Sequence, residues 1–267
     1  MRLYLPRRPA APIEYNYAML TRPVPPTRFR PMSDRIRAVA TTPRRLAQLA
    51  LIALGLGAVL AAAQEPGFSR SVTPGLVERY AAKFGPAGRT RIGGWQEFVR
   101  SVPAERRLPG SEAELLASVN IFFNRLPFLA DLRHWGVEDY WASPAEAFAS
   151  NGADCEDFSI AKYYALKELG VPIQRLRITY VKAVRLDQAH MVLAYYPEPN
   201  AVPLILDNLE DWVRPASERA DLIPVYSFND EDLLIARQGQ RDASAGSSSQ
   251  IRLWRGLLDK LEKELHY

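Results

Sequence analysis

The sequence predicts an α+β protein in which N-terminal helices pack on an antiparallel sheet. Three observations indicate this fold class. Apolar residues at helical spacing recur within 75–169, strand-like runs follow at 175–184, 190–196 and 203–209, and short turns separate those runs. Because the helices come first and the strands then follow one another directly, we expect an antiparallel meander rather than alternating βαβ units.

Residues 1–63 resemble a targeting segment more than part of a folded domain. They contain ten arginines and two acidic residues, and the run at 46–63 is apolar except for one glutamine. A basic region, an apolar stretch of about 15 residues and a final Ala-Ala-Ala are typical of a secretory signal cleaved before Gln64. An uncleaved inner-membrane anchor is the alternative. Residues 1–31 are expected to be a start-site artefact or a disordered leader, and 64–238 the folded domain.

The net charge excludes one class of partner. The whole chain carries +4 and has a pI of about 9.2. Without residues 1–63, however, 24 basic and 28 acidic side chains remain, a net charge of −4. A mildly acidic protein does not attract the phosphate backbone of nucleic acids, so no nucleic-acid partner is expected.

The first helices are predicted from apolar runs and from the glycine and proline residues that interrupt them. Glycine and proline residues separate two short helices, 75–85 and 93–102, with loose connections around them. Ser111 is a plausible N-cap for the next helix, with Glu114 as its capping-box partner. Pro127 follows the end of that helix.

Two helices with clear start signals come next. Pro144 suits the first position of a short helix, which Gly152 terminates. The following helix begins at about Asp154, and Gly170 with Pro172 ends it. The three strand-like runs follow directly.

The end of the chain has a different composition. Residues 239–250 are rich in serine and glycine, which predicts a flexible linker. The remainder of 239–267 is predicted to be an amphipathic helix, because apolar residues recur at spacings of three and four. Docking of this helix on its own domain is favoured, and a partner or a membrane surface is the alternative. The residues of the apolar stripe are Ile251, Trp254, Leu258, Leu261 and Leu265.

Three residues with catalytic potential occur in a meaningful order. Cys155, the sole cysteine, falls in the first turn of a predicted helix, whose positive end favours the nucleophilic thiolate. His190 opens the second strand and Asp207 ends the third, so a sheet packed on this helix can align an imidazole with the thiol and a carboxylate with the imidazole. The alternatives are a core cysteine, an edge-of-core histidine and ordinary turn chemistry. The ordered set favours acyl transfer through a cysteine.

Acidic residues surround the cysteine. Asp154, Glu156 and Asp157 lie within two positions of Cys155, and their repulsion should raise the pKa of the thiol. A bound hard cation would remove this conflict, and oxygen-only ligands point to Ca²⁺ rather than zinc. Helix capping by acidic residues is the alternative.

Several motifs resemble one known family. Together they are similar to the bacterial transglutaminase-like cysteine proteinases, the LapG-type periplasmic proteases, over roughly residues 70–235. The motifs are D-Y-W-A-S-P-A-E-A-F (139–148), G-A-D-C-E-D-F-S-I-A-K-Y (152–163), G-V-P (170–172), L-R-I-T-Y-V-K (176–182), A-H-M-V-L (189–193) and L-D-N-L (206–209).

The resemblance implies a fold, a catalytic set and a metal site. It implies a papain-like, transglutaminase-type core for 64–238 and a cysteine endopeptidase activity. It also implies a Cys-His-Asp triad and a calcium site formed by the acids beside the cysteine. The residues are Cys155, His190 and Asp207 for the triad, and Asp154, Glu156 and Asp157 for calcium.

The resemblance also implies a biological setting. The expected substrate is a large RTX-type surface adhesin, cut near its N-terminus at a di-alanine site so that cells leave a biofilm. The expected partner is an inner-membrane receptor for cyclic di-GMP that sequesters the protease in the periplasm. Two alternatives stay open on the residues alone: an amide-directed acyltransferase such as a transglutaminase, and a calcium-dependent binding protein with an inert cysteine.

Overall fold

The computed structural model describes residues 72–103, 111–236 and 242–267. The predicted leader and signal, 1–63, lie outside these ranges. No helix among the described residues is long and apolar enough to cross a membrane. The helices of the described ranges are α1 (Pro74–Ser101), α2 (Glu112–Phe123), α3 (Asp131–His134), α4 (Pro144–Ser150), α5 (Cys155–Glu168) and α6 (Arg252–Glu264).

The described strands form one antiparallel sheet in the order β4-β3-β2-β1-β5-β6-β7. The predicted α+β class and the predicted meander are confirmed, since β1, β2 and β3 are neighbours in chain order. Four further strands extend the sheet beyond the sequence prediction. The strands are β1 (Leu176–Ala183), β2 (Gln188–Tyr195), β3 (Leu204–Asp207), β4 (Glu210–Pro215), β5 (Leu222–Phe228), β6 (Asp232–Ile235) and β7 (Ala243–Ser247).

The two short helices predicted near the start are one kinked helix, α1. Gly85 interrupts it with φ 76° and ψ −179°, a conformation that is essentially restricted to glycine. Pro86 then restarts the helix at a position where a missing N–H has little cost. The stretch predicted as a loose connection is therefore helical. At its beginning, the Thr73 hydroxyl accepts a hydrogen bond from the N–H of Leu76 at 3.1 Å.

Local signals place the next helices well, with one correction. α2 begins after Ser111 as predicted, but the Ser111 side chain makes no capping hydrogen bond. α4 has Pro144 in its first turn, and the Ser143 hydroxyl accepts the N–H of Glu146 at 3.1 Å. α5 begins at Cys155, as the sequence predicts.

The helices cover one face of the sheet. α5 is the central helix, and its buried side chains form one apolar core with α1, α2, α4 and α6 and with strand residues such as Leu193 and Leu206. The other face buries a smaller apolar cluster on β1, β2 and β3. Ala216 and Leu222 pack against that second cluster.

The connection between β4 and β5 crosses the second face of the sheet. β4 lies at one edge and β5 lies beyond β1, so residues 216–221 must pass over β3, β2 and β1. The N–H of Ala216 binds the carbonyl of Pro203 at 2.8 Å, and the carbonyl of Asp221 accepts the N–H of Val184 at 2.8 Å. This crossing segment carries Arg219 over the strands.

The tail of the chain belongs to the folded domain. The prediction of a flexible linker over 239–250 is wrong for residues 243–250, because β7 pairs with β6 and a 3₁₀ turn follows it. α6 docks on its own domain, as the favoured interpretation predicts, with Trp254 fully buried. The buried stripe is Trp254, Leu257, Leu261 and Glu264, and so differs in part from the predicted one.

Candidate active site

The candidate site lies where two strands separate. Pairing between β2 and β3 stops at Leu193 and Leu206, although both strands continue to His190 and Asp207. Across this opening, Nε2 of His190 and Oδ1 of Asp207 are 2.8 Å apart, and both side chains are buried. The predicted pairing of histidine and aspartate is thus present in the geometry.

Asp207 is a carboxylate with three hydrogen-bond donors around it. Besides His190, it accepts the N–H of Leu209 at 3.0 Å and Nη2 of Arg219 at 2.8 Å. Burial opposes its ionisation, but the hydrogen bonds from His190, Leu209 and Arg219 lower the pKa of Asp207 to about 2. A carboxylate only accepts hydrogen bonds, so Nε2 of His190 carries the proton and Nδ1 of a neutral ring keeps a free lone pair.

Arg219 is a site residue that sequence reasoning missed. Its side chain is 9% exposed and also donates to Asp221 at 3.1 Å. The arginine reaches Asp207 only because the crossing segment 216–221 runs over the sheet. No local pattern distinguishes Arg219 from the other arginines of the chain, since its partner lies on a strand it does not neighbour in sequence.

A second anchor holds the turn after Asp207. Nδ2 of Asn124 donates to the backbone carbonyl of Asp207 at 3.0 Å. Asn124 follows the last residue of α2, and Asn120, on α2, donates to the carbonyl of Glu210 at 2.8 Å and accepts a hydrogen bond from Nζ of Lys162 at 2.8 Å. Burial lowers the pKa of Lys162 to about 7, although the negative charge of Asp207 acts to raise it. α2 and α5 therefore fix the backbone that carries the aspartate.

The thiol of Cys155 lies beside β2. It is the first helical residue of α5, and the backbone N–H of Met191, the residue after His190, lies near enough to its sulfur to favour ionisation. Its Sγ–H donates to Oε2 of Glu156 at 3.0 Å. Burial, together with the charges of Glu156 and Asp154, raises the pKa of the Cys155 thiol. Burial and the acidic charges thus outweigh the stabilisation of the thiolate that the sequence predicts from the helix start.

Three carboxylates converge next to the thiol. Ligand oxygens of Asp131, Asp154 and Glu156 all lie within 4.8 Å of one another. Oδ1 of Asp131 and Oδ1 of Asp154 are buried and have no hydrogen-bond partner among the described residues. Burial, with the charges of Glu156 and Asp139, raises the pKa of Asp131 to about 6. Burial and neighbouring acids also raise that of Asp154. Unpartnered oxygens and an oxygen-only donor set fit a hard cation such as Ca²⁺.

The predicted ligand Asp157 has a different position. It is absent from this three-carboxylate group, where the structure has Asp131 instead. Its Oδ1 accepts the N–H of Ala142 at 2.7 Å, and the nearby backbone N–H of Asp154 favours its ionisation. Asp157 occupies the third helical position of α5, where an acidic side chain faces the N-cap. Asp157 therefore fixes the start of α5 beside the cluster.

Short backbone contacts bring Asp131 to the cysteine. The N–H of Leu129 donates to the carbonyl of Ala153 at 2.9 Å, and Phe128 forms an isolated bridge with Ala153. Gly152 makes this approach feasible, because a Cβ there would lie 2.5 Å from Cδ1 of Leu129. Sequence reasoning missed Asp131 because the link depends on this contact between two separate loops.

Comparisons with known proteins show which chains this one is similar to. The family model for bacterial transglutaminase-like cysteine proteinases (BTLCP) matches residues 98–222. Solved structures of LapG from Legionella pneumophila are 38% identical over 69% of this chain. The EGTA-treated form has a TM-score of 0.58 with 95% of its chain covered, and the calcium-bound form 0.57 with 97% covered. Among curated proteins, no match is found.

The fold and the similarity lead to the same assignment. Helices packed on an antiparallel sheet are the architecture expected of a transglutaminase-like protease, and the identity to LapG extends over most of the described domain. The predicted papain-like, transglutaminase-type core is confirmed. The chain therefore belongs to the bacterial transglutaminase-like cysteine proteinases.

Proposed function

We propose that this cysteine protease is a calcium-dependent endopeptidase in which Cys155 is the nucleophile, His190 the base and Asp207 the residue that orients the base. The buried 2.8 Å hydrogen bond between His190 and Asp207 carries this proposal. It fixes the tautomer that leaves Nδ1 free to accept a proton. The position of the Cys155 sulfur at the N–H of Met191 supports a thiol next to that imidazole.

The reaction is acyl transfer to water. The Sγ–H proton of Cys155 passes to Nδ1 of His190, and the thiolate forms a C–S bond with the substrate carbonyl carbon while the C=O electron pair moves to oxygen. Backbone N–H groups at the start of α5 stabilise that oxyanion. The C–N bond then breaks, and His190 returns its proton to the leaving amine. Water attacks the thioester with His190 as base, which releases the acid and restores the thiol.

The acidic cluster imposes a requirement on this chemistry. One uncompensated charge at about 5 Å costs the thiolate on the order of 3 kcal/mol at an effective dielectric near 20. The dipole at a helix N-terminus stabilises the thiolate by only about 0.3–1 kcal/mol, which does not offset that cost. Asp131, Asp154 and Glu156 would hold Ca²⁺, which supplies a compensating positive charge beside the sulfur. With its carboxylate engaged there, Glu156 no longer competes with His190 for the thiol proton. The existence of a calcium-bound LapG structure supports this assignment.

The proposed substrate is a large surface adhesin cut near its N-terminus at a di-alanine site, so that cleavage releases cells from a biofilm. The proposed setting is the periplasm, reached through the signal within 1–63, with an inner-membrane cyclic-di-GMP receptor that sequesters the protease. Family membership and the apolar run at 46–63 support these proposals. N-terminal sequencing of periplasmic protein tests export: a start near Gln64 supports it, and an intact segment on membrane-bound protein indicates an anchor.

The direct test of the activity uses an adhesin fragment that contains the di-alanine site. We expect Cys155→Ala and His190→Ala to abolish cleavage, because each removes a reacting group. His266→Ala, in the exposed tail, is the matched control and should cleave normally. Cleavage by Cys155→Ala would contradict the proposal. Incorporation of an added amine, without hydrolysis, would show that the same residues act in a transglutaminase.

One observation favours a second candidate. The raised pKa of Cys155 is what an inert cysteine in a calcium-dependent binding protein would have. That candidate requires the thiol to stay unreactive when calcium is bound, whereas the protease requires the cation to activate it. Thiol reactivity with and without calcium therefore separates the two functions.

A further inference from the structure

A four-residue loop, Tyr140–Ser143, lies between the acidic cluster and the C-terminal helix. Two of its backbone N–H groups point to acids of the cluster region. The N–H of Tyr140 donates to Oδ2 of Asp131 at 2.5 Å, and the N–H of Ala142 donates to Oδ1 of Asp157 at 2.7 Å. The conformation of this loop therefore fixes where two of the carboxylates can lie.

The other side of the loop is held by α6. Nζ of Lys260 donates to the carbonyl of Trp141 at 2.8 Å and to Oε2 of Glu146 at 2.8 Å, and lies 3.9 Å from the ring centre of Tyr140. Tyr140 donates its hydroxyl to the same oxygen of Glu146 at 2.8 Å. Burial opposes ionisation of Glu146, but the Lys260 charge keeps its pKa below the ordinary value. Lys260 thus contacts the carbonyl of Trp141 and the ring of Tyr140. It also binds the same Glu146 carboxylate as the Tyr140 hydroxyl.

α6 is itself fixed to the domain. Oε1 of Glu264 accepts the hydroxyl of Ser143 at 2.6 Å and the hydroxyl of Tyr80, on α1, at 2.5 Å. Trp254 is fully buried, and the centre of its ring lies 6.5 Å from that of Trp141. The matched family region, 98–222, ends before α6. These contacts anchor α6 to the domain beside the loop, and α6 lies outside the residues that the family model matches.

We propose that α6 positions the calcium site through the loop Tyr140–Ser143, with Lys260 as the positioning residue. This inference rests on the proposed calcium site at Asp131, Asp154 and Glu156. Carboxylates that bind a metal depend on their own hydrogen-bond donors for orientation, and loss of such a partner typically lowers metal affinity by roughly 10–100-fold. Release of the Trp141 carbonyl frees the neighbouring N–H groups that orient Asp131 and Asp157.

The test is calcium binding by the full chain, stripped with EGTA and titrated with CaCl₂ by calorimetry. Lys260→Met removes the ammonium group and keeps the length of the side chain. Lys263→Met is the matched control, because it makes the same chemical change at an exposed position of α6. We expect the calcium dissociation constant of Lys260→Met to rise roughly tenfold. That of Lys263→Met should stay within about twofold of the unchanged protein.

A second readout separates positioning from general stability. The increase in melting temperature caused by saturating calcium should be smaller for Lys260→Met than for Lys263→Met, whatever their melting temperatures in EGTA. If Lys260→Met does not fold in EGTA, Lys260→Gln takes its place with the same expectation. Equal calcium affinity of the two variants overturns the role of α6 and leaves the calcium site intact. No calcium binding by the unchanged protein overturns the calcium site itself and this inference with it.

Discussion

At the scale of single residues, the orientation of His190 depends on how Asp207 is held. Asp207 shares its carboxylate between His190 on one oxygen and Arg219 on the other. Since a hydrogen bond to a charged group contributes about 1.5–3 kcal/mol, Arg219 is a substantial part of what keeps this carboxylate ionised and in place. Because the imidazole of His190 is hydrogen-bonded to this carboxylate, its orientation depends on Arg219 as well.

Replacement of Arg219 by methionine should therefore slow catalysis without removing a reacting atom. We expect Arg219→Met to lower kcat by about 10–100-fold, which corresponds to loss of one charged hydrogen bond. Arg214→Met is the control, because Arg214 is an exposed residue of the edge strand β4 and its ion pairs are with Glu210 and Glu218, not with Asp207. Steady-state cleavage rates at saturating calcium provide the measurement. Equal rates for the two variants would mean that Arg219 does not position Asp207.

The residues found from sequence share one property. Each lies at or near the end of an element: Cys155 begins α5, Asp207 ends β3, and His190 is the third residue of β2, which begins at Gln188 and not at His190 as predicted. Arg219 and Asp131 lack such a signal, because each reaches the site from an irregular segment or a one-turn helix whose path is set by tertiary contacts. Position within an element can be predicted from sequence, whereas contact between loops cannot.

At the scale of elements, the kink of α1 depends on one glycine. Gly85 has φ 76° and ψ −179°, which a side chain strains strongly, although a Cβ there would meet no atom within 4 Å. The cost of substitution is therefore conformational and not steric. α1 contacts α4 on both sides of this kink, because Lys83 binds Glu146 and the ring of Trp95 stacks on that of Phe148.

Gly85→Ala should destabilise the domain by about 1–3 kcal/mol, the range for a residue forced into a sparsely populated backbone region. Gly94→Ala is the matched control in the same helix, because Gly94 is exposed, has a helical backbone and has open space around it. That variant should gain about 0.5–1 kcal/mol. Denaturant unfolding at fixed calcium measures both free energies. A stabilised Gly85→Ala protein would show that the backbone conformation at the kink is not required.

Two of the strands missed by sequence, β4 and β7, are short and half exposed. β4 reads EDWVRP and β7 reads ASAGS, and neither shows a buried alternating face. Their pairing is determined by neighbouring strands, which tertiary context provides and local composition does not. The long helices and the three apolar strands, by contrast, carry their own periodic signal.

At the scale of the whole molecule, the acidic cluster makes stability depend on both pH and calcium. Burial and neighbouring acids raise the pKa of Asp131 to about 6 and raise those of Asp154 and Asp157 as well. In the calcium-free protein, the folded state therefore keeps protons that the unfolded chain loses above about pH 4. The folded state binds more protons, so stability should fall as pH rises from about 4 through 6.

Bound calcium should remove this decrease in stability with rising pH. We expect the increase in melting temperature on adding calcium to be small at about pH 5 and larger at about pH 8, where the carboxylates are ionised and available. Differential scanning calorimetry in calcium and in EGTA gives both values. An increase of the same size at both pH values would indicate that these carboxylates do not bind the ion.

The central claim is that a cation at Asp131, Asp154 and Glu156 turns Cys155 from a neutral thiol into a nucleophile. Since Cys155 is the only cysteine of the chain, iodoacetamide reports on this thiol alone. The measurement is the alkylation rate at about pH 7, followed by intact mass, in saturating calcium and in EGTA. We expect alkylation to be at least about tenfold faster with calcium, because a thiol pKa lowered by about one unit increases the thiolate fraction by that factor. Equally slow alkylation in both conditions would contradict it.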